Sequence, residues 1–201
     1  MDRTNMNTAT DRQVESHPWA PFVPENARVI VLGAFPPGRH RWSMEFYYPN
    51  PQNDFWRIMG LLFFGDKDAL YDSRTRTFRL DDIKQLLTVK GIAMADTAAE
   101  AVRLRNNASD KYLQPVRPLD LVAVLARMPN CRAMGTTGER AAGILAKITG
   151  TEVPPIGQPL MVDALPAIWR LPSSSRAYPL ALDKKAAVYH RFFESAGVEL
   201  L

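Results

Sequence analysis

Residues Arg28–Trp56 read RVIVLGAFPPGRHRWSMEFYYPNPQNDFW, and the fold is decided here. Val29, Ile30, Val31 and Leu32 form a short unbroken apolar run, the mark of a parallel strand covered on both faces. Gly33 stops it. Ala34-Phe35-Pro36-Pro37-Gly38 is then a locally stiff loop with few side-chain donors, because proline fixes φ and lacks an N–H. Such a loop presents backbone amides and an aromatic ring to a planar ligand. Asn50-Pro51 is a good helix opening. Asn53 is expected in the first turn, near the positive end of the helix dipole. Phe55, Ile58, Met59 and Leu62 follow at helical spacing as its buried face.

The same alternation continues outward. The spacing predicts a short helix over Asp81–Val89, a buried strand over Ile92–Ala95 ending at Asp96-Thr97, and a helix over Ala98–Leu104. Arg105–Asp110 reads as a polar loop and Pro118–Met128 as a helix. Cys131–Met134 reads as a strand. Gly135-Thr136-Thr137-Gly138 turns into a helix bearing Ala141, Ile144, Leu145 and Ile148, with Thr137 a candidate N-cap. Pro159–Asp163 and Ala167–Leu171 are expected to pair as antiparallel or edge strands. Leu180–Ala196 closes the chain as a helix with Leu182, Ala186, Tyr189 and Phe193 inward. Strands alternating with helices imply a three-layer α/β/α sandwich around a mainly parallel sheet. Ligands of such folds bind beyond the C-terminal strand ends. Gly33, Asp96, Gly135-Thr136 and Pro172 are expected at that edge.

Length and composition set the bounds. A chain of 201 residues suffices for one domain with a full core. We expect a loose arm over 1–16 and one domain over 17–201, with His17–Pro24 packed as an extended segment across the sheet edge. The net charge of +4 permits a nucleic-acid partner and equally suits a mildly basic enzyme. Cys131 is the only cysteine, which excludes an intrachain disulfide and a cysteine-ligated iron–sulfur cluster. His17, His40 and His190 lack metal-ligand spacing. No apolar run is long enough to span a membrane, and a signal core is lacking, so a cytoplasmic location is expected.

The pattern GAFPPG…FYYPNPQNDFW, together with Leu171-Pro172-Ser173-Ser174-Ser175-Arg176-Ala177 near the far end, resembles the two active-site motifs of the uracil-DNA glycosylase superfamily. The branch most similar is the hypoxanthine/uracil type. The likeness runs from about Arg28 to Phe193. It implies a uracil-DNA glycosylase-like fold and a monofunctional DNA glycosylase that excises hypoxanthine or uracil. It implies a monomer whose partner is DNA bearing a damaged or deaminated base, with no metal and no cofactor. The uracil-specific branch has an Asp in the first motif and a His in the second. Here those places hold Phe35 and Ser-Ser-Ser, which is consistent with the hypoxanthine-type branch.

Hydrolysing an N-glycosidic bond requires a flipped nucleotide, donors for the departing base, and an oriented water. Asn53 is the leading catalytic candidate, or else it caps a helix or braces the loop. Asp96 is the alternative carboxylate, or else an acceptor for loop amides. The base pocket is expected from Gly33, Ala34, Phe35 and Pro36. Phe35 is either a stacking platform or core. Tyr47 and Tyr48 are expected as walls, one of them core, and Trp56 as core. Ser173, Ser174 and Ser175 suit contact with a phosphate or the duplex. Arg176 suits a phosphate or the gap left by the base; a surface turn is the plain alternative for this loop. Thr136 and Thr137 stand where an anion binds or a helix is capped, and Arg39, His40 and Arg41 either touch the DNA backbone or are solvated. Motif segments without lysine argue against a Schiff base and for simple hydrolysis. Two rivals keep the fold: a nucleic-acid-binding protein without turnover, and a hydrolase of nucleosides or other small ligands.

Overall fold

A computed structural model describes residues 13–104 and 113–201. The strands are β1 (Val14–Ser16), β2 (Val29–Gly33), β3 (Tyr71–Asp72), β4 (Thr77–Phe78), β5 (Ile92–Asp96), β6 (Ala98–Arg103), β7 (Leu113–Pro118), β8 (Ala133–Thr137), β9 (Pro159–Leu160) and β10 (Ala167–Leu171). The helices are α1 (Phe55–Phe64), α2 (Leu80–Lys90), α3 (Leu121–Ala126), α4 (Glu139–Thr149) and α5 (Leu182–Ser195).

The central sheet has the order β5-β2-β8-β10-β9, parallel except for β9, which runs antiparallel to β10. Side chains alternate cleanly across β2. Val29 and Val31 enter a core with Phe55, Trp56 and Met59 of α1 and Tyr189, Phe192 and Phe193 of α5. Ile30 and Leu32 enter the opposite core with Leu121 and Val124 of α3 and Leu145 of α4. Each such side chain, fully buried, contributes about 1.5–3 kcal/mol. The result is the expected three-layer α/β/α sandwich. α5 lies so close to the sheet that a Cβ on Gly135 would stand 2.6 Å from the Phe192 ring.

A second sheet, β1-β6-β7, is antiparallel. It corrects the expected helix over Ala98–Leu104: the alanine-rich stretch has helical propensity, but hydrogen bonding on both sides makes it a central strand. Val14–Ser16, expected in the loose arm, is the strand that covers one of its edges; the rest of that arm, up to residue 12, and the expected loop Arg105–Asp110 lie outside the described residues. The helix expected from Pro118 starts at Leu121, capped by the Asp120 carboxylate, and Pro118 ends β7. His17–Pro24 does cross the sheet edge, where Phe22 and Met94 exchange backbone hydrogen bonds of 2.9 Å. No helix among the described residues is long and apolar enough to cross a membrane.

Candidate active site

β2, β5, β8 and β10 end on the same sheet edge, at Gly33, Asp96, Thr137 and Leu171. The loops leaving them enclose a cleft of about 760 Å³. The two motif segments form opposite walls and are joined directly. Asn53 bridges Ser175 in antiparallel fashion, and the Asp54 amide donates to the Ser174 carbonyl at 2.8 Å.

Asp96 forms the floor. It is 7% exposed, and its Oδ2 lies 2.9 Å from Nε2 of His17. A carboxylate only accepts, so the proton in this contact sits on Nε2. His17 Nδ1 faces the backbone of Trp19, 2.7 Å from its carbonyl oxygen, and the ring stacks on Tyr47. The other oxygen of Asp96 rests on Gly33, where a Cβ would stand only 2.4 Å away. Glycine there is a condition for the floor. The Gly33 carbonyl is held in turn by the amide and hydroxyl of Thr97, at 2.8 and 3.1 Å.

The aromatic arm divides its two tyrosines. Tyr48 takes a left-handed backbone (φ 52°), lies flat on Phe55 with ring centres 4.0 Å apart, and reaches Thr137 Oγ1 with its hydroxyl at 2.7 Å. It walls the cleft. Tyr47 turns the other way, is 1% exposed and donates to the Ala20 carbonyl. Burial raises its pKa far above the ordinary tyrosine value, and the negative charge of Asp96 adds to this. Its expected place in the base pocket is therefore corrected to the core. Phe35 touches the cleft but is largely buried, edge-on to His17 and packed with Ala98, Ala101 and Leu113.

Asn53 lines the cleft just ahead of α1, not inside its first turn. Its Oδ1 accepts from the Phe55 amide at 2.9 Å and so braces the turn that leads into α1. The next residue points away. Asp54, 8% exposed, receives Lys185 Nζ at 3.0 Å and Arg176 Nε at 3.2 Å. Lys185 is 0% exposed and also donates to the Ser175 carbonyl at 2.8 Å. Tyr189 of the same helix holds the Pro172 carbonyl at 3.0 Å. The serine loop is thus clamped from behind by α5.

Gly33, Ala34, Phe35, Pro36, Tyr48 and Asn53 line one cleft, together with Asp96, Thr137, Ser173, Ser174, Ser175 and Arg176. Arg176 is not a free probe, since Asp54 holds its Nε; its side chain is nevertheless half exposed. Ser174 is buried, whereas Ser175 is exposed. Thr136 is corrected. It is 0% exposed and donates to the Trp169 carbonyl, so its hydroxyl faces the fold and not a DNA backbone. Thr137 does not cap α4 either: Gly138 occupies that position at φ 110°, and the Thr137 hydroxyl is spent on Tyr48. Arg41 reaches the cleft, while Arg39 pairs with exposed Glu45.

Three residues escaped the sequence reading: His17, Asp54 and Lys185. Only Lys185 carried a signal. It stands three residues after Leu182 and four before Tyr189, on the apolar stripe of its helix. Among the described residues no group of His, Cys, Asp and Glu is arranged to hold a metal ion.

No family model matches the chain. A "Hypoxanthine DNA glycosylase" of Methanosarcina barkeri is 31% identical over 64 residues, 31% of this chain. The match spans only 40% of that protein's length. The solution structure described as "a putative Uracil DNA glycosylase from Methanosarcina acetivorans" superposes with a TM-score of 0.59 at 19% identity. That superposition covers 90% of this chain and 99% of the other. The resemblance read from the two motifs stands at this level: the chain has a uracil-DNA glycosylase-like fold, and over 64 residues it is similar in sequence to a hypoxanthine DNA glycosylase.

Proposed function

We propose that the protein is a monofunctional DNA glycosylase that hydrolyses the N-glycosidic bond of a deaminated base, hypoxanthine or uracil, in DNA. The observation that carries this reading is the Asn53–Ser175 bridge, which joins the first motif to the serine loop around one cleft. Its volume of about 760 Å³ falls in the range of small-ligand sites, roughly 300–1,000 Å³.

The flipped nucleotide enters between the Phe35 loop and Tyr48, with the serine loop against its phosphates. Water attacks the sugar carbon, the bond to the base breaks, and the base leaves with the electron pair. Backbone amides of the Ala34-Phe35 turn stabilise the charge that gathers on the base. Asp96 orients the water and takes its proton, and His17 holds the carboxylate in place. The Asn53 amide nitrogen donates to the sugar or base, because its oxygen is engaged by Phe55. Simple hydrolysis fits the cleft lining, which contains no lysine among the described residues; Lys185 is sealed behind Asp54 and Ser175. In this reading the enzyme is a cytoplasmic monomer acting on DNA without metal or cofactor.

The test is single-turnover cleavage of oligonucleotides carrying one hypoxanthine, uracil or xanthine, with alkali to reveal abasic sites. Strand breaks with the wild type, reduced at least a hundredfold in Asn53→Ala or Asp96→Asn, support the reading and rank the two residues. A folded wild type that binds DNA but releases no base from any substrate overturns it and favours a binding protein of the same fold.

A further inference from the structure

A second cavity, of about 1080 Å³, opens beside the first. The two share Thr137 and Ser173 and are continuous across the turn into α4. One face of α4 forms the floor of this groove, and β7 and the chain ahead of β9 contribute its walls. Val116 and Ile156 stand at it as exposed apolar side chains.

The middle of the floor is Gly143. Glycine inside a helix is destabilising relative to alanine. Here no neighbour demands it, since a Cβ at this position would meet no atom within 4 Å. The missing side chain leaves space in the groove and serves no packing need. The groove also gathers charge of one sign: Arg140, Lys147 and Arg170 against Glu139 alone. Arg170 Nε is buried with no hydrogen-bond partner among the described residues, and the Glu139 carboxylate is exposed and 3.7 Å from the guanidinium. A buried donor without an acceptor is costly, and the remainder of the Arg170 side chain is part exposed at the groove.

Apolar walls, an open floor and cationic side chains suit a nucleobase with its phosphate. We propose that this groove receives the nucleotide next to the excised one on the same strand. Its base lies over Gly143 against Val116 and Ile156, and its acceptors face Arg170 and Lys147. The proposal rests on the glycosylase reading and deepens it: with two adjacent nucleotides out of the stack, the substrate is single-stranded or locally opened DNA.

The experiment uses single-stranded oligonucleotides with one hypoxanthine, flanked on either side by an ordinary nucleotide or by a base-less one. Fluorescence anisotropy gives the affinity, and single-turnover cleavage is followed in parallel. Removing the neighbouring base on one side is expected to weaken wild-type binding about tenfold, the usual effect of losing one stacked base. Gly143→Leu, which fills the groove, is expected to bind the intact oligonucleotide about tenfold more weakly and to lose nothing further when the neighbouring base is absent. Ile156→Glu, on a loop, repeats the test independently of the helix, and thermal melting verifies that both variants fold. Cleavage that is indifferent to both neighbouring bases overturns the groove proposal and leaves the glycosylase standing. So does neighbour dependence that persists undiminished in the folded variants. A wild type that neither binds nor cleaves any lesion overturns both.

Discussion

Replacing Lys185 with methionine tests whether the clamp behind the serine loop carries fold and site together. The side chain is fully buried, and its ammonium makes two hydrogen bonds, to Asp54 Oδ2 at 3.0 Å and to the Ser175 carbonyl at 2.8 Å. Methionine follows the lysine side chain out to Cε and keeps its apolar contacts, and only the ammonium is lost. What remains is a buried Asp54 whose other partner, Arg176, is half exposed and 3.2 Å away. Breaking one side of a buried ion pair costs about 3–5 kcal/mol. For a chain of this size each kcal/mol lowers the melting temperature by about 2–4 °C, so the expected drop is about 6–20 °C. Urea unfolding should show a lower midpoint with an unchanged slope. Single-turnover cleavage should fall as well, because the Ser175 carbonyl loses its anchor. The double variant Asp54→Asn/Lys185→Met removes both charges and should be less destabilised than the sum of the singles by about 1 kcal/mol or more. A Lys185→Met protein that melts within 2 °C of wild type, or additive singles, would refute the reasoning.

Three further outcomes follow from the same geometry. Gly33→Ala puts a methyl group 2.4 Å from Asp96 Oδ1 and 3.0 Å from the Tyr48 hydroxyl; overpacking of this kind costs about 1–3 kcal/mol, and cleavage should fall at least tenfold in a protein that still melts cooperatively. His17→Ala leaves a nearly buried carboxylate without its donor, which should cost about 1–3 kcal/mol in urea unfolding and depress the cleavage rate. The Cys131 thiol is pushed up from 9.0 to about 11 by burial. Below pH 9 the thiol is protonated in both states and contributes nothing; above it the unfolded chain loses the proton first, so stability should fall as pH rises from 9 to 11. Alkylation of Cys131 at pH 8 should be slow in the folded protein and rapid in urea.

Most of the central sheet was legible because β2 and β5 are unbroken apolar runs, and because α1 and the last helix repeat at 3.6 residues; β8 was placed too early, since Gly135, Thr136 and Thr137, which read as a turn, are paired strand residues. The pairing of β9 with β10 was legible because two short candidate strands lie close together in the sequence. β6 was not, because its sequence AAEAVR favours a helix locally and only its neighbours β1 and β7 make it a strand. The cleft itself was foreseen from the motif segments and the strand ends. Its supports were not: nothing in the local sequence says that His17 meets Asp96. Tyr47 and Tyr48 are adjacent and chemically identical, and only the left-handed backbone at Tyr48 separates the core residue from the wall.

The clamp has a kinetic meaning. His17 and Asp96 are 79 residues apart, Arg176 and Asp54 are 122 apart, and Lys185 and Asp54 are 131 apart. Contacts that span so much chain bear a large loop-closure entropy and form late. They are also few, and they sit at the rim of the sheet and not in its middle. The candidate cleft, held by these few contacts at the rim, should therefore come apart before the central sheet, so that mild heating or denaturant loosens it while the sheet is still intact.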